Sequence, residues 1–210
     1  QIKSPMIGGS SMGKIKALII GASGLVGKCL CKALEWNGID VKGTYQSRPI
    51  EGMLKLDLRN SAAVWACLEA VRPEVVFLAV NTRGGVDYCQ THPEEAHALN
   101  VEGTKNVALA AARLKTKLVY YSTDYIFDGR AGPYSEEDEP APINVYGQTK
   151  LKAEKIIQEL CPTWLIVRTT AVFGWDKESR NFAMQVWKRL NAGEPIRVPT
   201  DQWGNPTLAD

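Results

Sequence analysis

Ala17-Leu18-Ile19-Ile20-Gly21-Ala22-Ser23-Gly24-Leu25-Val26-Gly27 changes character halfway along. Four apolar residues run together and stop at a glycine, which reads as a short strand buried on both faces. Three glycines then recur at every third position. From Gly24 to Trp36 the apolar residues fall at helical spacing, and Gly38 stands where a helix would be capped. A strand that passes through glycines straight into a helix is the opening of a βαβ unit. There the first glycine permits the tight turn, the second lets the backbone approach a ligand, and the third lets helix pack closely on strand.

The pattern continues outward from this unit. Ile39 to Tyr45 reads as a strand interrupted by Gly43, and Met53 to Leu56 as a short third strand. Ser61 to Val71 reads as a helix capped by Ser61 or Asn60. Val75 to Val80 is the clearest buried strand. Pro93 to Leu114 is Ala-rich and helical, with a bend or break expected near Gly103. Lys117 to Ser122 and Trp164 to Thr170 read as strands flanking a helix over Val145 to Leu160. Arg180 to Leu190 reads as a last helix, and Ile196 to Val198 as a last short strand. Strand and helix alternate with a period of about 25 residues, which predicts crossover connections and a parallel sheet. The acidic stretch Glu136 to Glu139, followed by Pro140 and Pro142, is a solvated loop.

Composition narrows the functional classes. The 210 residues suit one domain, or one domain and part of another. The formal net charge of +2 argues against nucleic-acid binding driven by bulk charge. The longest apolar stretch, Ala17 to Gly27, falls short of the ~20 residues that span a bilayer. The five cysteines form no CxxC pair, and Cys29 and Cys31 lack zinc-ligand spacing. They read as reduced, mostly buried thiols of a cytoplasmic protein, with no metal site. Residues 1–13 read as a leader or tag outside the fold.

The glycine turn, Gly21, Ser23, Gly24, Leu25 and Val26, puts helix N–H groups where a pyrophosphate could bind, so a dinucleotide is the expected ligand. Sites for NAD place an acid at the end of the second strand. Here the sequence is Gly43-Thr44-Tyr45-Gln46-Ser47-Arg48. Ser47 and the planar fork of Arg48 suit a 2′-phosphate instead, so NADPH is the expected cofactor and NADH the alternative. Asp57, after the third strand, is either a contact for the adenine edge or a turn residue leading the next helix. Tyr146 and Lys150 stand at i and i+4 on one helix face. A tyrosine of pKa ~10 is a poor acid at neutral pH, and a nearby ammonium is expected to lower that pKa.

The glycine turn together with this Tyr-Lys pair resembles the extended short-chain dehydrogenase/reductase superfamily. Three further motifs are similar to those of dTDP-4-dehydrorhamnose reductases and their relatives: Ser122-Thr123-Asp124-Tyr125-Ile126-Phe127-Asp128-Gly129, Asn144-Val145-Tyr146-Gly147-Gln148-Thr149-Lys150-Leu151, and Asp201-Gln202-Trp203-Gly204-Asn205-Pro206-Thr207. The resemblance spans about Lys14 to Asp210. It implies a Rossmann-like doubly wound parallel α/β sheet with helices on both faces as a nucleotide-binding domain over 14–175, and the start of a small, truncated C-terminal substrate-binding domain over 176–210. It also implies reduction, with NADPH, of the 4-keto group of a nucleotide-linked 6-deoxy sugar.

Further roles follow from the resemblance alone. Thr123 binds the substrate carbonyl, Tyr146 is the general acid, and Lys150 holds the nicotinamide ribose. Leu58, Ala79, Val80, Asn81 and Thr169 join the cofactor cleft, and Asn100 supports the active site. Thr82, Asp124, Tyr125, Phe127, Asn181 and Gln202 contact the substrate. The implied partner is the nucleotide sugar, in a homodimer, with no nucleic acid and no membrane. Two departures stand out. Gln90 replaces an acidic residue of some members, which removes a metal contact, and Arg83-Gly84-Gly85 is an unusual lead-in. Two alternatives stay open. One is a non-catalytic NADP-binding subunit like the regulatory β subunit of methionine adenosyltransferase. The other is a sugar-nucleotide epimerase or dehydratase, which Asp124 beside Thr123 would suit.

Overall fold

In a computed structural model, residues 15–47, 49–82, 84–176, 181–198, 200 and 204–209 are described. The opening strand β1 (Lys16–Ile20) is the centre of the sheet, as its unbroken apolar run requires. It pairs in parallel with β2 (Asp40–Tyr45) on one side and β4 (Val75–Leu78) on the other. The two-residue β3 (Leu54–Lys55) lies outside β2. On the other flank β5 (Lys117–Thr123) follows β4, and β6 (Trp164–Thr169) follows β5. The order β3-β2-β1-β4-β5-β6 is that of a doubly wound dinucleotide-binding fold, with its reversal between β1 and β4.

Side-chain alternation decides what covers each face. Leu18, Ile20, Val76, Leu78, Leu118 and Tyr120 form one buried layer. Against it pack α2 (Ser61–Val71), α5 (Thr104–Leu114) and α6 (Val145–Leu160). The small residues Ala108, Ala110 and Ala111 let α5 sit low between its neighbours. Ala17 and Ile19 point to the opposite face, where α1 (Leu25–Trp36) lies over β1 and β2.

Several element boundaries differ from expectation. Helix α2 keeps its expected bounds, and of its two expected caps Asn60 serves, accepting from Ala63 N at 3.0 Å. A helix over Gly85–Thr91 (α3) is absent from the sequence reading. Pro93 to Leu114 is not broken at Gly103. It runs from α4 (Pro93–His97) through a π-helical turn (Ala98–Gly103) into α5. The last helix, α7, is Phe182–Asn191. Ile196 to Val198 forms no strand. Sheet-like pairing near the C-terminus comes instead from Thr207 and Ala209, which bond along Thr170 and Phe173 beyond β6. Among the described residues no helix is long and apolar enough to cross a membrane. None of the five cysteines is in a disulfide, and only Cys89 and Cys161 are buried; Cys29, Cys31 and Cys67 are half-buried, against the expectation of mostly buried thiols.

Candidate active site

The carboxyl ends of the parallel strands collect nearly every residue singled out in the sequence. Gly21 turns the chain after β1 with φ +92°, and a Cβ there would meet the Ala79 carbonyl oxygen at 2.6 Å. Glycine is thus required where the loops after β1 and β4 meet at the reversal point. A Cβ on Gly27 would strike the Gly21 carbonyl and come within 2.6 Å of Ala22 Cα. We expect Gly27→Ala to cost about 2 kcal/mol in a denaturant titration, because neither obstacle is a movable side chain. A wild-type midpoint would contradict this packing.

Gly24, between them, is exposed, and no side chain caps the first turn of α1. The N–H groups of that turn are therefore free for an anion. Ser23, Leu25 and Val26 complete the turn. Ser47 follows β2 and is exposed, whereas Arg48 lies outside the described residues. Asp57 follows β3 and is bound by Arg59 at 2.6 Å, which holds its carboxyl down at about 2. Leu58 next to it is buried in the core, and its carbonyl accepts from Asn106 at 2.8 Å.

Ala79, Val80 and Asn81 leave β4 toward the same edge. Thr82 is buried, and its hydroxyl is 2.8 Å from the Cys89 sulfur. Thr169 ends β6, its hydroxyl on the Ser122 carbonyl. Asn181 caps α7 and bonds the Gly174 carbonyl. Gln202 lies outside the described residues.

Thr123, Tyr146 and Lys150 come together between β5 and α6. Thr123 is the last residue of β5, and its hydroxyl accepts from Tyr125 N at 3.2 Å to cap a 3-10 turn over Asp124–Ile126. Asn144 caps α6 by accepting from Gly147 N at 2.8 Å, so Tyr146 sits in the first helical turn. Gln90 accepts from Val145 N at 3.2 Å and braces that turn. Asn100, buried in the π-helical turn, donates to the Thr149 hydroxyl, which donates to the Tyr146 carbonyl. Such π-helical turns often mark functional sites. Here the turn lets a buried amide fix the orientation of the helix that carries the tyrosine.

The electrostatics correct one expectation. Burial raises Tyr146 to about 12, although hydrogen bonds from Thr123 and Asn81 pull the other way. Lys150 does not lower it. Its Nζ donates instead to the Tyr121 carbonyl at 2.6 Å and lies 4.2 Å from the centre of the Tyr120 ring. Burial in turn lowers Lys150 to about 7, with Glu154 opposing. The physical reason is depth. Desolvation penalises both charged forms more than the two groups assist each other. The phenol thus keeps its proton at neutral pH.

Glu154 itself went unnoticed in the sequence. It is 1% exposed on α6, bonded by the Ser122 hydroxyl and by Arg168 at 2.8 Å. The signal was present, since Tyr146, Lys150 and Glu154 are spaced i, i+4, i+8 on one helix face.

Residues 15–210 match the RmlD substrate binding domain family. The chain belongs to that family. Among its relatives, dTDP-4-dehydrorhamnose reductase of Escherichia coli (strain K12) is 34% identical over 194 residues, which is 92% of this chain and 62% of the relative. The chain thus spans under two thirds of that relative's length. Methionine adenosyltransferase 2 subunit beta of Xenopus tropicalis is 35% identical over 159 residues, 76% of this chain and 47% of that one. The crystal structure of dTDP-4-dehydrorhamnose reductase from Bacillus anthracis in complex with NADP superposes with a TM-score of 0.84 at 32% identity. It covers 95% of this RmlD-family chain, which spans 68% of it.

Proposed function

We propose that this chain is the nucleotide-binding portion, with the start of the substrate region from residue 176, of a reductase. The reductase uses NADPH to reduce the 4-keto group of a nucleotide-linked 6-deoxy sugar. The observation that carries this reading is the convergence of buried Tyr146, Thr123 and Lys150 at the sheet edge that also holds the glycine turn. The 34% identity to dTDP-4-dehydrorhamnose reductase supports this choice of substrate class.

The residues present fit a dinucleotide. The exposed Gly24 and the uncapped first turn of α1 would take the pyrophosphate, and Ser47 with Arg48 the 2′-phosphate. Lys150 would hold the nicotinamide ribose. When bound, NADPH supplies the hydride. The chain's own residues handle the oxygen. Thr123 and Tyr146 donate hydrogen bonds to the sugar's carbonyl oxygen and stabilise the charge that develops on it. Tyr146 then gives its proton to that oxygen, and the product is the alcohol. Turnover of dTDP-4-dehydrorhamnose with NADPH tests the assignment; absence of turnover in the full chain would reject it.

Arg48→Ala tests the cofactor choice. NADPH affinity should fall by about 10- to 100-fold, the worth of a charged hydrogen-bond contact, while NADH affinity holds. Equal losses on both in a fluorescence titration would show that Arg48 does not read the 2′-phosphate.

The similarity to methionine adenosyltransferase 2 subunit beta favours a second reading, a nucleotide-binding subunit that serves a partner enzyme. Tight NADPH binding without sugar reduction would support it.

A further inference from the structure

We propose that Glu154 and Arg168 form a clamp that positions the segment after β5 as one wall of the sugar pocket. The proposal rests on the reductase reading above. Glu154 is buried on α6, one turn beyond Lys150, and three donors satisfy it. They are the Ser122 hydroxyl at the end of β5, Arg168 Nε at 3.3 Å and Arg168 Nη2 at 2.8 Å. The carboxylate therefore sets the plane of the guanidinium on β6 with two parallel bonds. The third nitrogen, Nη1, is left to donate to the Glu136 carbonyl at 3.2 Å. The guanidinium carbon also lies 5.5 Å from the centre of the Phe127 ring.

Those two attachments bracket one compact segment. Phe127 stacks on Tyr134 with centroids 4.4 Å apart, and the Tyr134 hydroxyl donates to Asp128 at 2.6 Å and accepts from Ala131 N at 3.0 Å. The segment is thus internally tied, and Arg168 joins both its ends to the helix that carries Tyr146. Tyr125, just before it, packs edge-on against Tyr146 at 5.8 Å. A buried ion pair is weak as a source of stability, because apolar replacements of similar volume often do as well. Planar, directed bonding is what such a pair adds, and a lysine could not make the same three contacts.

The test compares Arg168→Lys, Arg168→Met and the double variant Glu154→Gln/Arg168→Met in the full chain. Arg168→Met alone strands a buried carboxylate and can unfold the protein; the double variant removes both charges and keeps the fold testable. Two readouts are taken: hydrogen exchange of the 127–139 backbone amides without ligands, and kcat and KM for dTDP-4-dehydrorhamnose. In the double variant, exchange over 127–139 should rise about tenfold while β5 and α6 stay protected. KM should rise about tenfold with kcat within about threefold, since the wall is displaced but the acid is intact. Arg168→Lys should show the same KM rise. Wild-type exchange over 127–139 in the double variant would overturn the clamp. Faster exchange there, in a protein whose wild type does not reduce the sugar, would uphold the clamp and reject the reductase reading.

Discussion

Tyr146→Phe should lower kcat by about 100- to 10,000-fold, the usual contribution of a positioned general acid. The substitution is nearly isosteric. The ring keeps its packing against Cys89, Val86 and Tyr125. Only the hydroxyl is lost, with its hydrogen bonds to Thr123 and Asn81. Fold and NADPH affinity should therefore stay close to wild type, and the deficit should appear in kcat. Burial holds the phenol proton up to about 12. Across pH 6 to 9 the acid is in its donating form, so raising the pH in that range should not rescue or abolish the wild type through Tyr146. Turnover by Tyr146→Phe at the wild-type rate would show that the proton comes from elsewhere.

Lys150→Met should abolish most activity and yet raise stability. Lys150 is 2% exposed, and burial pulls its pKa from 10.5 to about 7. Between those values the unfolded chain binds the proton and the folded chain does not. Unfolding then takes up a proton, so this group makes stability rise with pH from about 7 to 10.5. Below about 7 the folded protein carries the whole cost of a buried ammonium. A methionine of similar length removes that cost and gives up the bond to the Tyr121 carbonyl. The Tm of the variant should exceed that of wild type by at least ~3 °C at pH 6, and the gap should close toward pH 10. The loss of the nicotinamide ribose contact should at the same time weaken NADPH binding by about tenfold or more. A variant less stable than wild type at pH 6 would mean that the lysine is retained for packing. The expected pattern is that of a residue kept for chemistry at the expense of stability.

The parts of the fold visible in the sequence are those governed by local rules. The apolar run before Gly21, the glycines at 21, 24 and 27, and the Asn60 cap each act over a few residues. They place β1, α1 and α2 closely. The alternation of strand and helix then calls for a parallel sheet, and the family resemblance for its doubly wound order. The parts that were not visible depend on contacts distant in sequence. In the π-helical turn over Ala98–Gly103, buried Asn100 bonds Thr149, 49 residues away. Helix α3 is short and opens on two glycines, Gly84 at its cap and Gly85 at its first residue, both at positive φ, which read locally as a loop. Pairing beyond β6 by Thr207 and Ala209 depends on where the chain returns, which no periodicity reports. In the site, Tyr146 and Lys150 were legible as an i, i+4 pair on one helix face, and Thr123 through the family resemblance of its motif. Their protonation states were not. Depth of burial sets them, and it reverses the simple expectation that the ammonium lowers the phenol pKa.

The most direct measurement follows a deuterium label. NADPH carrying deuterium at the transferable position of nicotinamide C4 is incubated with the full chain and dTDP-4-dehydrorhamnose. The sugar product is then analysed for label. Deuterium at sugar C4, with one NADPH consumed per alcohol formed and no label transferred by Tyr146→Phe, is the expected result. NADPH bound tightly but not consumed, with the keto sugar recovered unlabelled, would contradict the reductase reading and point to a subunit that binds the dinucleotide without using it.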